Sequence, residues 1–166
     1  MDKKKTEKTN GAAELFFWAQ ALTVALVVLV CCNTFFFRLS GVWGQSMENT
    51  LHANDQLILQ IIGYDQPERG DVLVCTSDAF DGEALVKRVI AGPGDWVNIL
   101  EDGTVLINDE VLEEPYLAEK AFGDADIELP YQVPDGRIFV MGDHRATSVD
   151  SRHTAVGCVA QEQIVG

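Results

Sequence analysis

Basic residues are scarce in this sequence. It contains 12 Lys and Arg against 26 Asp and Glu in 166 residues, which gives a net charge of −14 at pH 7. Binding to a phosphate backbone or lying on anionic lipid requires clustered positive charge. The acidic balance therefore argues against a nucleic-acid partner, and its simplest explanation is solubility.

Charge of either sign is absent from residues 15–37. A helix of this length can cross a hydrocarbon core of about 30 Å, and aromatic residues crowd both ends, as in interfacial belts. The run is longer than the apolar region of a signal peptide, and no small-residue cleavage pattern follows it. We therefore expect a retained transmembrane anchor over residues 15–37 and a separate domain after it.

Positive charge does occur ahead of this span, in Lys3, Lys4, Lys5 and Lys8. Cytoplasmic segments that flank membrane spans are enriched in Lys and Arg. This asymmetry predicts that residues 1–14 form a cytoplasmic N-terminus and that residues 38–166 form an extracytoplasmic domain. That domain has eight basic and 23 acidic residues, a net charge near −15.

Cysteine is also rare. Cys31 and Cys32 lie in the span, where they are expected to act as small apolar residues. Cys75 and Cys158 lie in the outer domain, where a disulfide could form. Their spacing matches no metal site and favours neither the bonded nor the free state, so both states stay open.

Helical periodicity, internal repeats and low-complexity segments are missing after Arg38. Short apolar runs alternate with turn residues instead, a pattern typical of a mostly β domain. The runs predict strands over residues 56–62, 71–76, 85–90 and 137–141.

One hairpin is strongly indicated. Residues 96–100 and 104–107 flank Asp102 and Gly103, a dipeptide that favours the tight turn of a β-hairpin. Residues 98–135 are assigned approximately to a peripheral lobe. From residue 110 onward this lobe is acidic and irregular, and it contains three of the five prolines.

One serine hydroxyl stands between a glycine and an apolar anchor, in Gly44-Gln45-Ser46-Met47. Serine is a poor nucleophile at neutral pH and needs a base and oxyanion donors. Lys87 is the candidate base, because strand alternation places it on one face between branched apolar neighbours, where a lysine loses its charge. Considered alone, Ser46 is more often a plain loop serine and Lys87 a snorkelling strand lysine.

Four stretches that follow one another along the chain favour the catalytic interpretation over the plain one. They are residues 44–51, 69–71, 86–95 and 142–152. Together they resemble the motifs of bacterial type I signal peptidases. The resemblance runs from Trp43 to the C-terminus, with the anchor ahead of it, and is weakest over residues 110–135.

The resemblance implies a signal-peptidase-like antiparallel β domain behind a single N-terminal transmembrane helix. It further implies a membrane-bound serine endopeptidase that removes signal peptides from exported proteins, cutting after small residues near the outer membrane surface. The implied partners are preproteins bearing signal peptides and the lipid bilayer, with the secretion channel nearby. No nucleic acid, cofactor or metal is expected.

Individual roles follow from the resemblance residue by residue. Ser46 corresponds to the nucleophile, with its backbone N–H as an oxyanion donor, and Lys87 corresponds to the general base. Ser148 corresponds to the serine that holds the lysine amine. Asp150 and Arg152 correspond to a structural ion pair.

Asp143 and Arg145 belong to the same motif as Ser148. We assign them supporting roles near the site, and stabilisation of the turn explains them equally well.

Three positions depart from the usual family pattern. Asn49 stands where a proline is usual, which is expected to loosen the turn after Ser46. Gly44 stands where some members carry a hydroxyl that assists the oxyanion. His144 replaces the usual asparagine and is an alternative base for Ser46, in partnership with a neighbouring aspartate.

Other families fit less well. The self-cleaving repressors of the SOS response share serine and lysine chemistry, but they are soluble and carry a DNA-binding domain. Eukaryotic-type signal peptidases have histidine at the position of Lys87. An inactive, membrane-anchored binding protein would be expected to lack the serine or the lysine, and this sequence keeps both.

Overall fold

The computed structural model describes residues 11–62, 67–77, 80 and 82–166. Within this range an N-terminal helix leads into a domain built of antiparallel strands. The four lysines that predict the orientation of the span lie outside the described residues.

The N-terminal helix α1 covers Gly11–Cys31 and continues as a π-helical turn over Cys32–Phe36. None of its residues is buried. The segment Gly11–Phe36 is long and apolar enough to cross a membrane, as expected of the anchor. Phe37, the last residue of the expected span, instead begins the first strand.

The domain after the helix is mostly β, as the sequence predicts. Its described part contains no further α-helix and one short 3₁₀ helix, Gln161–Gln163. Its strands are β1 Phe37–Gly41, β2 Gln56–Gln60, β3 Val72–Thr76, β4 Ala84–Ala91, β5 Trp96–Ile99, β6 Val105–Ile107, β7 Glu110–Val111, β8 Tyr131–Gln132, β9 Arg137–Met141 and β10 Val159–Ala160.

These strands form three antiparallel sheets, ordered β1-β2, β10-β9-β4-β3 and β7-β6-β5-β8. Alternation along β9 divides the apolar residues into two groups. Phe139 and Met141 join a cluster with the β5-β6 hairpin, whereas Ile138 and Val140 join a second cluster on the opposite face. Strand β4 is an interior strand of the second sheet, between β3 and β9.

The predicted hairpin is confirmed. Ile99 pairs with Val105 across a turn in which Gly103 has a φ of +84°. A Cβ at Gly103 would lie 2.5 Å from the backbone nitrogen of Ala121. The turn therefore requires glycine both for its conformation and for its packing against the lobe.

The two outer cysteines are free thiols. Cys75 packs in the cluster that includes Leu73 and Val89, whereas Cys158 packs in the cluster beside the hairpin. Each thiol packs in a separate part of the core. Of the two states that the sequence left open for Cys75 and Cys158, the structure has the free one.

Candidate active site

The loop that contains Ser46 is a hydrogen-bonded turn between β1 and β2. Met47, only 2% exposed, anchors it in the domain. The carbonyl of Met47 accepts the backbone N–H groups of Thr50 at 3.0 Å and Leu51 at 2.8 Å. Ser46 itself is half-buried, so its hydroxyl is fixed by the turn and still reachable from outside.

Lys87 reaches this hydroxyl from the middle of β4. Its Nζ lies 2.8 Å from Ser46 Oγ, and the residue is 2% exposed. Leu73 pairs with it across β3, and Val89 shares its face of the strand. Burial lowers the pKa of the Lys87 amine below its ordinary value, because the charged form loses hydration.

The charges around Lys87 oppose this effect only in part. Asp150 raises the pKa of the amine, but Arg152 acts in the opposite direction. Burial raises the pKa of the nearby Cys75 thiol to about 11, so this thiol is neutral at physiological pH. The Lys87 amine therefore lies beside a compensated ion pair and not beside a free anion.

Residues 142–152 hold the Ser46 loop in place. The backbone N–H of His144 donates to the carbonyl of Ser46 at 3.0 Å, and that of Gly142 donates to Asp150 Oδ2 at 2.9 Å. A Cβ at Gly142 would lie 2.4 Å from the Ser46 carbonyl oxygen and 2.2 Å from Ser148 Oγ. Only glycine allows these segments to approach so closely.

Asp150 and Arg152 form a buried bidentate ion pair. Arg152 Nε lies 2.8 Å from Oδ1 and its Nη2 lies 2.9 Å from Oδ2. Desolvation alone would raise the pKa of Asp150, but the hydrogen bonds from Arg152 and Gly142 lower it overall. Arg152 also donates to the carbonyls of Phe122 and Arg145, which ties the lobe to this motif.

Ser148 lies against the same group of residues but does not make the expected contact. Its hydroxyl is buried, near the carboxylate of Asp150, and forms no hydrogen bond of good geometry in the described part of the chain. The expected hydrogen bond to the Lys87 amine is thus not formed here. A holding role for Ser148 stays a prediction.

Asp143 connects three of the four motifs, through partners that the sequence did not indicate. Its carboxylate receives Arg88 Nε at 2.9 Å, Arg88 Nη2 at 2.6 Å and the Thr50 hydroxyl at 2.5 Å. Arg88 also donates to the carbonyl of Gly70 at 2.7 Å. The one available signal was a second cation beside Lys87 in an otherwise apolar strand.

Arg145 is joined to the lobe. Its guanidinium makes a bidentate, fully buried pair with Glu114, and Tyr116 donates to the same carboxylate at 2.8 Å. The ring of Tyr116 lies 3.9 Å from the guanidinium carbon of Arg88, a cation–π distance. The lobe, for which the sequence suggested no role, therefore packs against the arginine next to Lys87.

Two of the departures from the family pattern have clear structural forms. Asn49 adopts a φ of +75°, which proline cannot reach. The turn thus has a different backbone conformation from one with proline, and its hydrogen bonds to the Met47 carbonyl show that it is not loosened. His144 Nδ1 lies 2.5 Å from Thr147 Oγ1. This nitrogen is therefore engaged by Thr147 and not by Ser46.

The arrangement suits nucleophilic chemistry. A hydroxyl and a buried amine lie at hydrogen-bond distance, and the backbone N–H of Ser46 donates to no acceptor in the described segments. The described segments contain no group of His, Cys, Asp and Glu residues arranged to hold a metal. The site thus offers a candidate nucleophile, a candidate base and one available backbone donor.

Comparisons with known proteins agree with each other. A family model described as "Signal peptidase, peptidase S26" matches residues 15–166. Signal peptidase I of Bacillus amyloliquefaciens is 36% identical over 99% of this chain and 91% of its own length, and signal peptidase I S of Bacillus subtilis (strain 168) is 34% identical over 98% and 91%. The crystal structure of a signal peptidase I from Enterococcus faecalis V583 superposes with a TM-score of 0.52 at 31% identity, over 61% of this chain and 95% of that one.

Proposed function

This chain belongs to the signal peptidase family, peptidase S26, and we propose that it removes signal peptides from exported proteins with Ser46 as nucleophile and Lys87 as general base. The observation that carries this assignment is the 2.8 Å approach of a buried lysine amine to a reachable serine hydroxyl.

The energetics depend on the burial of Lys87. A lysine of ordinary pKa, near 10.4, is neutral about one time in a thousand at pH 7.4, a handicap of roughly 4 kcal/mol. Desolvation lowers a lysine pKa by up to about 3–5 units, and burial is the main cause of the lowered pKa here. Burial in this fold therefore reduces the handicap.

The reaction proceeds through an acyl-enzyme. Neutral Lys87 accepts the proton of Ser46, whose oxygen attacks the scissile carbonyl, and the backbone N–H of Ser46 stabilises the oxyanion. The protonated amine then gives its proton to the leaving amine. Water, activated by the same amine, releases the signal peptide from Ser46.

A groove that is lined in part by Trp43, three residues before Ser46, can hold the residues that precede the scissile bond. The groove lies between β1 and the start of β4 and includes Ser40, Gly41, Ala84 and Val86. Strand β1 pairs only with β2, and the first residues of β4 pair only with β3, as far as the described residues extend. An extended peptide could therefore add to these free strand edges.

Cleavage after small residues belongs to the same proposal. It follows from the substrate class, because signal peptides end in small residues after their apolar region.

The anchor determines where the reaction occurs. Ser46 follows Phe37, the first residue of β1, by nine residues, so it lies within about 30 Å of Phe37 along the chain. Trp43 is 86% exposed and suits a membrane interface. We infer that the domain works at the extracytoplasmic surface of the bilayer, close to the secretion channel from which precursors emerge.

The test is incubation of the detergent-solubilised full chain with a precursor protein, with the cleavage position read by mass spectrometry. We expect one cut, at the end of the signal peptide and after a small residue. Replacing that small residue with a bulky one should strongly slow cleavage. Cleavage elsewhere, or none at all, would contradict the proposal.

A further inference from the structure

A small polar pocket lies beside the Ser46 loop and is separate from the groove. Its volume is about 100 Å³, and it is lined by Asn49, Ala118, Glu119, Ala121 and residues 143–146. Three segments therefore meet in it: the turn after Ser46, the lobe, and the motif whose backbone binds the Ser46 carbonyl. We call it the polar pocket.

Most charges around the polar pocket are compensated. Asp143 is paired with Arg88, and Arg145 is paired with Glu114. Glu119 is exposed and makes no ion pair within the described ranges. The polar pocket therefore carries about one uncompensated negative charge.

The cation next in sequence does not compensate this charge. The Lys120 amine lies 3.2 Å from the hydroxyl of Thr104, beside the hairpin turn. A ligand that brings a positive charge or a hydrogen-bond donor would consequently meet a carboxylate with no competing cation of its own.

The Ser46 loop divides this pocket from the apolar surface on the other side. Asn49 lines the polar pocket, whereas the next two residues, Thr50 and Leu51, line an apolar recess shared with β2 and β3. None of the residues lining the polar pocket comes from strands β1–β4, which supply most of the lining of the groove and of the apolar recess. A peptide crossing Ser46 thus passes from the strand edges of the groove to a polar pocket built from other segments.

The anchor gives this path a direction. The helix leads directly into β1, which forms one wall of the groove. The apolar region of a signal peptide precedes its cleavage site, so residues before the scissile bond approach from the side of the anchor. Residues after it must leave on the opposite side, towards the lobe.

We propose that the polar pocket binds the first or second residue after the scissile bond and, through Glu119, favours a basic side chain there over an acidic one. This specificity rests on the proposed function, because it requires that Ser46 cleaves signal peptides. Glu119 acts here as a residue that determines specificity, and it takes no part in the chemical steps.

The experiment compares precursors that differ only in having Lys, Gln or Glu at the first or second position after the cleavage site. The full chain in detergent is assayed as wild type, Glu119→Gln and Glu119→Lys. Glu110→Gln is the matched control, since Glu110 is an exposed carboxylate on β7 that does not line the pocket.

We expect the wild type to prefer Lys over Glu on the order of threefold in kcat/KM at one of the two positions, the range of an exposed charge pair. Glu119→Gln should remove this preference, Glu119→Lys should reverse it, and Glu110→Gln should keep it. The preference should also disappear near 1 M salt, where the Debye length is about 3 Å.

Equal cleavage of all precursors by the wild type would overturn the role of the polar pocket and leave the proposed function intact. An unchanged preference for Lys over Glu in the Glu119→Gln variant would likewise overturn the role of the polar pocket. Failure of the wild type to cleave even the Gln precursors would overturn both proposals.

Discussion

Protonating Lys87 is costly in this fold, because the residue is only 2% exposed and its charged form loses hydration. The lowered pKa means that the amine loses its proton at a lower pH than an ordinary lysine. A general base works in its deprotonated form. Activity should therefore rise as the pH rises through the pKa of Lys87 and be lost as the pH falls below it.

His144 provides a check on the identity of this base. Its Nδ1 contacts Thr147, while Asp143 and Asp150 are both engaged by arginines, so no aspartate is available to orient it as a base. We predict that His144→Asn keeps the rising limb of the kcat/KM profile, little shifted, and retains most of the activity.

The measurement is kcat/KM against pH for the wild type and His144→Asn, with circular dichroism to verify folding. Disappearance of the limb in a folded variant would move the general-base role to His144. A fall in kcat/KM of the folded His144→Asn variant on the order of a hundredfold would also assign the general-base role to His144.

The sequence predicted the Ser46 and Lys87 pair because both stand in recognisable motifs. It could not predict the contacts of Asp143, whose partner Thr50 lies 93 residues away. The buried pair of Arg145 with Glu114 was missed for the same reason. Such contacts depend on how the lobe folds back, and they have no local pattern that a sequence could display.

Among the structural elements, the turn after Ser46 differs most from the family resemblance. Asn49 has a φ of +75°, whereas proline is fixed near −65°. We predict that Asn49→Pro, although it restores the usual residue, costs about 1–3 kcal/mol and lowers kcat/KM by shifting Ser46. Asn49→Gly, which accepts a positive φ, should behave like the wild type.

Thermal unfolding and precursor cleavage of the two variants test this prediction directly. An Asn49→Pro protein with wild-type Tm and kcat/KM would show that the left-handed turn is not required.

Strands with clear alternation and flanking turn residues were predictable, and β3, β4 and β9 lie within about one residue of their expected limits. Strand β1 could not be predicted, because Phe37 and its neighbours continue the apolar run of the anchor in sequence. Strands β7, β8 and β10 have two residues each. Such short strands are stabilised by their partners and show no period of their own.

For the whole molecule, the proposed function depends on which side of the membrane the β domain occupies. Lys3, Lys4, Lys5 and Lys8 favour a cytoplasmic N-terminus. We predict that protease added to spheroplasts digests the domain after Arg38 and spares an N-terminal tag. A domain protected in intact spheroplasts, and digested only after lysis, would contradict this orientation.

The central claim is that Ser46 and Lys87 act as one catalytic unit, and the most direct measurement is a double-mutant cycle on precursor cleavage. Ser46→Ala and Lys87→Ala should each reduce kcat/KM by roughly a thousandfold or more in a folded protein, and the double variant should be little worse than either. Near-normal cleavage by Lys87→Ala, or losses that multiply in the double variant, would contradict the assignment.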